Sequence, residues 1–302
     1  MATVSEGQLA VAMFEEPAAV KPWHEKLRDT ARKQPVGVAG AIIVVLMILM
    51  AVFADVVTPY DPLLNSYEYM LAPPDGNFIF GTDMLGRDVY SRIVYGARTA
   101  LFVGFASAAV GGFFGLILGV SSAYFGGLFD LIFQRVMDVF MAFPLVIMAL
   151  AVVSILGTGT ENVILAIIVP FVPRCARVVR SSALQIREIP YIDAAKACGF
   201  GHARIILRHM APNVMAPFLI MVTAFVGQAI LTEASLSYLG LGVQEPTPAW
   251  GLMLQGGAEE FAESAPWVAI FPGLAITLAV FGFNLFGDAL RDVLDPRLRS
   301  SQ

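Results

Sequence analysis

The sequence is short of charge and of cysteine. Only 14% of its 302 residues are Asp, Glu, Lys or Arg, against about 25% in soluble globular domains. Hydrocarbon is therefore the solvent for much of the chain. The two cysteines, Cys175 and Cys198, make neither a disulfide framework nor a metal cluster. No CxxC, HExxH or dinucleotide fingerprint is present, and no Walker A segment. The last absence means that any ATP must be bound by another subunit.

What the chain has in quantity is apolar sequence, 57% of the residues. It falls into six runs, at about 36–57, 99–124, 139–156, 163–180, 216–231 and 267–290. Runs long enough to cross roughly 30 Å of hydrocarbon predict membrane helices. The fold class expected is thus all-α, a polytopic integral membrane protein with six transmembrane helices. A polar tail, 1–35, precedes them. Its length and its acidic residues Glu15 and Glu16 do not suit a signal peptide, and Trp23 and Leu27 with flanking bases suit an interfacial helix. A second tail, 291–302, follows. Two long connections are expected, 58–97 and 242–265, the first ending in a helical stripe of Met84, Leu85, Val89 and Ile93.

The second run carries Gly111, Gly115 and Gly119 at every fourth position, beside Gly104, Ala108 and Gly112. Small residues at that spacing predict close helix packing in lipid. Six spans place both termini on one side of the membrane. Sixteen of the 19 lysines and arginines fall on that side, and only Arg87, Arg92 and Arg98 on the other. Basic residues stay in the cytosol during insertion, so the termini are expected there. The loop 242–265 holds Glu245, Glu259, Glu260 and Glu263 without a lysine or arginine, and is expected outside.

The most polar stretch of the middle of the chain, 187–212, is expected to be a cytosolic hairpin. Pro190 opens a short helix, Asp193 sits in its first turn, and Gly199 ends it. Ala194, Ala195 and Ala197 leave the backbone open to a close-approaching surface. A second short helix is expected over Ala203–Met210, with Arg204 and Arg208 one turn apart and Pro212 opening the next span. A pair of helices this small has no core and must dock on something.

Asp193-Ala194-Ala195, Gly199 after three residues, and His209 and Ala211-Pro212 after nine more resemble the EAA loop of binding-protein-dependent ABC importer permeases. Asp193, His209 and Ala211 depart from the common pattern, the first two in the manner of the dipeptide/oligopeptide/nickel branch. The segments from Phe80 to Asp88 and from Thr232 to Gly242 resemble the same branch. The resemblance implies a type I importer permease of MetI-like fold in a bacterial or archaeal cytoplasmic membrane. It implies no catalytic site and no cofactor on this chain, ATP and Mg being held by one or two ATPase subunits. Further implied partners are a second, homologous permease subunit and an extracytoplasmic binding protein, with membrane lipid around them and no nucleic acid. The substrates implied are di- and oligopeptides, with nickel complexes, glutathione and oligosaccharides as alternatives.

On that reading Asp193, Ala194, Ala195, Lys196, Gly199, Arg204, His209 and Pro212 couple the membrane helices to the ATPase. Glu233 has two readings, a residue lining the translocation path or a carboxylate hydrogen-bonding a neighbouring helix. Gln228 and Asn284 are weaker candidates for the path. A stand-alone secondary transporter would show repeat-related broken helices or paired charges, and an intramembrane enzyme a catalytic pair at membrane depth. Neither stands out.

Overall fold

The computed structural model describes residues 34–258, 261 and 263–294. Lys21, Lys26, Arg28, Arg32, Lys33, Arg297 and Arg299, the tail helix with Trp23 and Leu27, and Glu259 and Glu260 lie outside the described residues. The chain divides into two units, Met1–Pro35 and Val36–Gln302, and the second is the one described below.

Helix α1 (Pro35–Val52) is the first apolar run, and a single turn, α2 (Ala54–Val57), follows it. The connection to the next span is non-helical apart from the 3₁₀ turn Tyr67–Tyr69. It ends at α3 (Val89–Phe125), where Asp88 caps the helix by accepting the Ser91 N–H. Met84 and Leu85 therefore lie in a turn and not on the helix, because the Asp83 carboxylate holds the Leu85 and Arg87 N–H groups in a loop. At 1.5 Å per residue the 37 residues of α3 run about 55 Å. That length separates two ends of the bundle.

The third apolar run is not one helix. It divides into α4 (Gly127–Met141) and α5 (Leu145–Leu156), which meet at 89°. Pro144 disfavours helical geometry at Phe143 and breaks the ladder there. Asp130, Gln134 and Asp138 recur every fourth residue and turn one side of α4 toward arginines. Asp130 pairs with Arg180, Asp138 with Arg177, and Gln134 donates to Ser122 at 3.3 Å. Leu128, Phe129, Leu131, Ile132 and Val139 are exposed.

The fourth run forms α6 (Thr160–Arg187), which continues past Pro170 and Pro173 for another fourteen residues. Membrane helices tolerate such prolines where neighbours satisfy the freed carbonyls. α6 packs along α3. A Cβ on Gly115 would stand 2.6 Å from Cys175 Cβ, and one on Gly119 2.5 Å from the Ala176 carbonyl. The small-residue ladder is the seam that lets these two helices touch.

After α7 (Pro190–Ala197) the chain reverses at Gly199, whose φ of +75 suits glycine. It then enters a single run built of α8 (His202–Arg204), a π turn (Ile205–Met210), a 3₁₀ turn (Ala211–Val214) and α9 (Met215–Tyr238). The helix expected over Ala203–Met210 is thus the first part of the fifth span and not a separate element. Pro212 has no N–H and crowds the Arg208 carbonyl; the wider π turn before it accommodates both effects. The connection 242–265 contains another helix, α10 (Trp250–Ala258), before α11 (Trp267–Leu294) closes the bundle.

Among the described residues five helices are long and apolar enough to cross a membrane, six when the bent α4–α5 pair is counted as one span. The chain is an all-helical, polytopic membrane protein. Ile42, Val45, Phe102, Phe113, Leu165 and Leu278 are among the large apolar side chains left exposed on its flanks.

Candidate functional site: a docking hairpin and a locked opposite end

At one end of the bundle α7 lies across the feet of α3 and the α8–α9 run. Ile192 and Ala195 face inward and are buried, whereas Asp193, Ala194, Lys196 and Ala197 are exposed. Ala195 thus packs against the chain itself, and little of it is exposed. Helical spacing explains the split: 192 and 195 share one side. Lys196 pairs with Asp193 at 3.0 Å and stands 6.0 Å over the Tyr124 ring. Gly199 is exposed at the reversal, and the Phe200 N–H returns to the Ala195 carbonyl at 3.2 Å.

The second half of the hairpin is clamped to the first. Tyr191 Oη donates to the His209 carbonyl at 2.7 Å, and Asn213 Nδ2 donates to that carbonyl at 2.6 Å and to Tyr191 Oη at 3.0 Å. The His209 ring stacks on Phe200 at 5.6 Å between centroids, with its Nε2 buried and without a hydrogen-bond partner. Arg204 Cζ lies 4.0 Å from the centroid of the same Phe200 ring. Pro212 is exposed, next to the clamp. At the foot of α3, Tyr124 Oη shares a hydrogen bond with His202 Nδ1 at 2.7 Å, and Arg187 donates to the Ala123 carbonyl at 2.8 Å. The sequence pattern missed Tyr191, Asn213 and Tyr124. Each acts through a contact that no local spacing announces.

The other end of the bundle is held by ions. Arg87 donates to Asp83 at 2.7 Å and to both oxygens of Glu245 at 2.9 and 3.3 Å. Arg92, 1% exposed, reaches Glu245 at 3.4 Å and the Pro62 carbonyl at 3.2 Å. Burial works to lower the Arg87 pKa, but the Glu245 hydrogen bond and the Asp83 charge outweigh it and raise it. These four side chains line a cavity of about 470 Å³. Trp250 Nε1 donates to the Ile93 carbonyl and Trp267 Nε1 to that of Thr82, tying α10 to the start of α3 and α11 to the loop before it.

Glu233 is 1% exposed and accepts a hydrogen bond from Ser237 Oγ at 2.6 Å. Ser237 Oγ in turn accepts the Val243 N–H at 3.1 Å. The bond from Ser237 stays within α9 and joins Glu233 to no neighbouring helix. Gln228 and Asn284 are both exposed on α9 and α11, and the Asn284 amide oxygen passes close to Gly227. Gln228 and Asn284 thus lie near one another on a surface that the chain leaves uncovered, while Glu233 is apart from them.

A membrane bundle with an exposed hairpin at one end and a locked loop cluster at the other has the layout of a transport subunit. The comparisons with known proteins identify the kind. Residues 111–300 match the family model "binding-protein-dependent transport system inner membrane component", and residues 21–74 match the N-terminal TM domain of oligopeptide transport permease C. The chain is 42% identical over 282 residues to the dipeptide transport system permease protein DppC of Alkalihalophilus pseudofirmus, covering 93% of this chain and 92% of that one. It is 41% identical over 280 residues to the glutathione transport system permease protein GsiD of Escherichia coli O6:K15:H31, covering 92% and 91%. A solved structure of the MetNI methionine ABC transporter in inward-facing conformations aligns at a TM-score of 0.49 and 16% identity, over 65% of this chain and 94% of that one. The chain belongs to the family of binding-protein-dependent transport system inner membrane components.

Proposed function

We propose that this chain forms half of the pathway of a short-peptide importer and receives its motion at the hairpin from separate ATPase subunits. It works beside a second, homologous permease subunit and receives substrate from an extracytoplasmic binding protein at the end held by Arg87 and Glu245. The termini and hairpin are cytosolic, by the bias of basic residues, and the membrane is the bacterial or archaeal inner one. The chain itself carries no catalytic group and no cofactor; ATP and Mg belong to the ATPase pair.

The observation that carries this reading is the two-sided hairpin. Asp193, Ala194 and Lys196 are exposed on a short helix whose other side is buried, and beyond the reversal at Gly199 the second arm of the hairpin continues into α9. A push on that surface is delivered to a span. Rigid-body movement of bundles against one another is a general route to alternating access. The relatives named for dipeptide and for glutathione transport share one substrate chemistry, a short peptide. Nickel complexes and oligosaccharides remain the alternatives within the family.

The test is ATP hydrolysis by the reconstituted complex with its binding protein loaded in turn with di- and tripeptides, nickel chelates and oligosaccharides. Stimulation by the peptide-loaded form alone supports the reading. Stimulation only by one of the other two replaces the substrate. No stimulation by any loaded form overturns the importer assignment.

A further inference from the structure

Beside the ion cluster, the loop between α2 and α3 builds a pocket that the transport reading does not use. It has a volume of about 360 Å³ and is lined by Tyr60, Asp61, Tyr69, Asn77, Phe78 and Asp88, among others. Three of these are aromatic and lean on one another. Phe78, nearly buried, stands 5.2 Å from Tyr60 and 5.4 Å from Tyr69 between ring centroids. Tyr60 and Tyr69 form an exposed rim.

Asp88 lies at the pocket's inner side and is 3% exposed. Its Oδ2 accepts the N–H and the hydroxyl of Ser91 at 2.8 and 2.6 Å, while Oδ1 is buried without a hydrogen-bond partner. A buried carboxylate oxygen without a donor is costly, and a positive group brought to it removes that cost. Among the described residues no lysine or arginine lines the pocket. The nearby Arg87 and Arg92 are already committed to Asp83, Glu245 and the Pro62 carbonyl.

The surface around the pocket has the same sign. Among the described residues of this end, Asp61, Glu68, Asp75, Glu161 and Glu263 are exposed, Arg87 and Arg92 are buried, and Arg98 is half-exposed and paired with Asp55 at 2.9 Å. Aromatic faces with a carboxylate behind them are how proteins hold organic cations. A face of one sign steers a large partner of the opposite sign.

We propose that this pocket receives a lysine or arginine side chain of the binding protein when that protein docks on the acidic end of the bundle. The proposal rests on the importer reading above. It assigns the outer loop a specific contact, an aromatic and carboxylate socket, in addition to the general acidity of the face.

The experiment uses the complete transporter in lipid nanodiscs with its purified binding protein and reads the binding-protein concentration that half-stimulates ATP hydrolysis. Tyr69→Leu and Asp88→Asn are the variants, the second retaining a side chain that caps α3. Each is expected to raise that concentration about fivefold at low salt, and Asp88→Asn to flatten its salt dependence. Thermal midpoints close to that of the unmodified complex show that the variants fold. Unchanged half-stimulation in both variants overturns the proposal while leaving the importer reading intact. Saturable binding of free arginine methyl ester that Asp88→Asn abolishes, with half-stimulation unchanged, assigns the pocket to a small cation and also overturns it. If the binding protein fails to stimulate the unmodified complex, the importer reading itself falls.

Discussion

Arg87 and Glu245 are 158 residues apart in sequence, and their side chains meet at 2.9 Å at the end of the bundle remote from the hairpin. The pair joins the loop before α3 to the loop after α9, so two spans cannot separate at that end while it holds. The partners are unequal. The Arg87 side chain is 7% exposed and that of Glu245 49%.

Their substitutions should differ accordingly. Arg87→Met leaves the Asp83 carboxylate buried with less compensation and is expected to cost about 3 kcal/mol. Glu245→Gln removes a half-exposed partner that water partly replaces, for about 1 kcal/mol. Cys175, buried in α6, reports unfolding once the exposed Cys198 is changed to Ser. Thermal labelling of Cys175 should show a clearly larger drop in midpoint for Arg87→Met. Equal drops would mean that Glu245 is held as tightly as Arg87.

The seam between α3 and α6 makes a second prediction. A side chain at Gly119 meets the Ala176 carbonyl and Val179, and neither is the end of a flexible chain. Gly119→Val should cost about 1–3 kcal/mol, the usual range for overpacking. Gly76 has nothing within 4 Å of an added Cβ, and Gly76→Ala should stay within about 0.5 kcal/mol. The same thiol assay compares them. A tolerated Gly119→Val would show that the helices are free to move apart there.

The seam shows what the sequence carries plainly. Glycine every fourth residue states its packing role in local spacing. The bend at Pro144 was present as a residue, but whether a proline kinks, breaks or is tolerated depends on its neighbours. Pro170 and Pro173 are carried through α6, whereas Pro144 separates two helices by 89°. The direction of Ala195 was hidden for another reason. A run of alanines has almost no amphipathic signal, so only the packed helix shows which alanine faces in. The Arg87–Glu245 lock and the Tyr191 clamp are long-range, and no local window holds both partners.

Opposite orientations of two adjacent alanines give the third prediction. Ala194→Trp should leave the fold intact and weaken binding of the ATPase pair, read as loss of the ATPase subunits on co-purification together with loss of transport. Ala195→Trp should instead disturb the hairpin's own packing, since Ala195 is 6% exposed beside Ile192, at a cost of about 1–3 kcal/mol. If Ala194→Trp co-purifies with a full complement of ATPase and transports normally, the outward side of α7 is not the docking surface.

The clamp on the His209 carbonyl gives the fourth. That carbonyl belongs to the π turn, where the hydrogen-bond ladder is widened ahead of Pro212, and Tyr191 ties it to α7 at 2.7 Å. A push on α7 reaches α9 through this tie as well as through the chain. Tyr191→Phe removes the bond to the His209 carbonyl and the one accepted from Asn213, for about 1 kcal/mol net, while Asn213 still serves the carbonyl. Amide exchange across residues 205–214 should then quicken about fivefold, the equivalent of that energy. More ATP should be hydrolysed per substrate moved, because part of the push is absorbed by a looser joint. Exchange faster than in the unmodified protein with an unchanged ratio of ATP to substrate would show that the chain alone transmits the motion. Unchanged exchange would show that the clamp does not stiffen the turn.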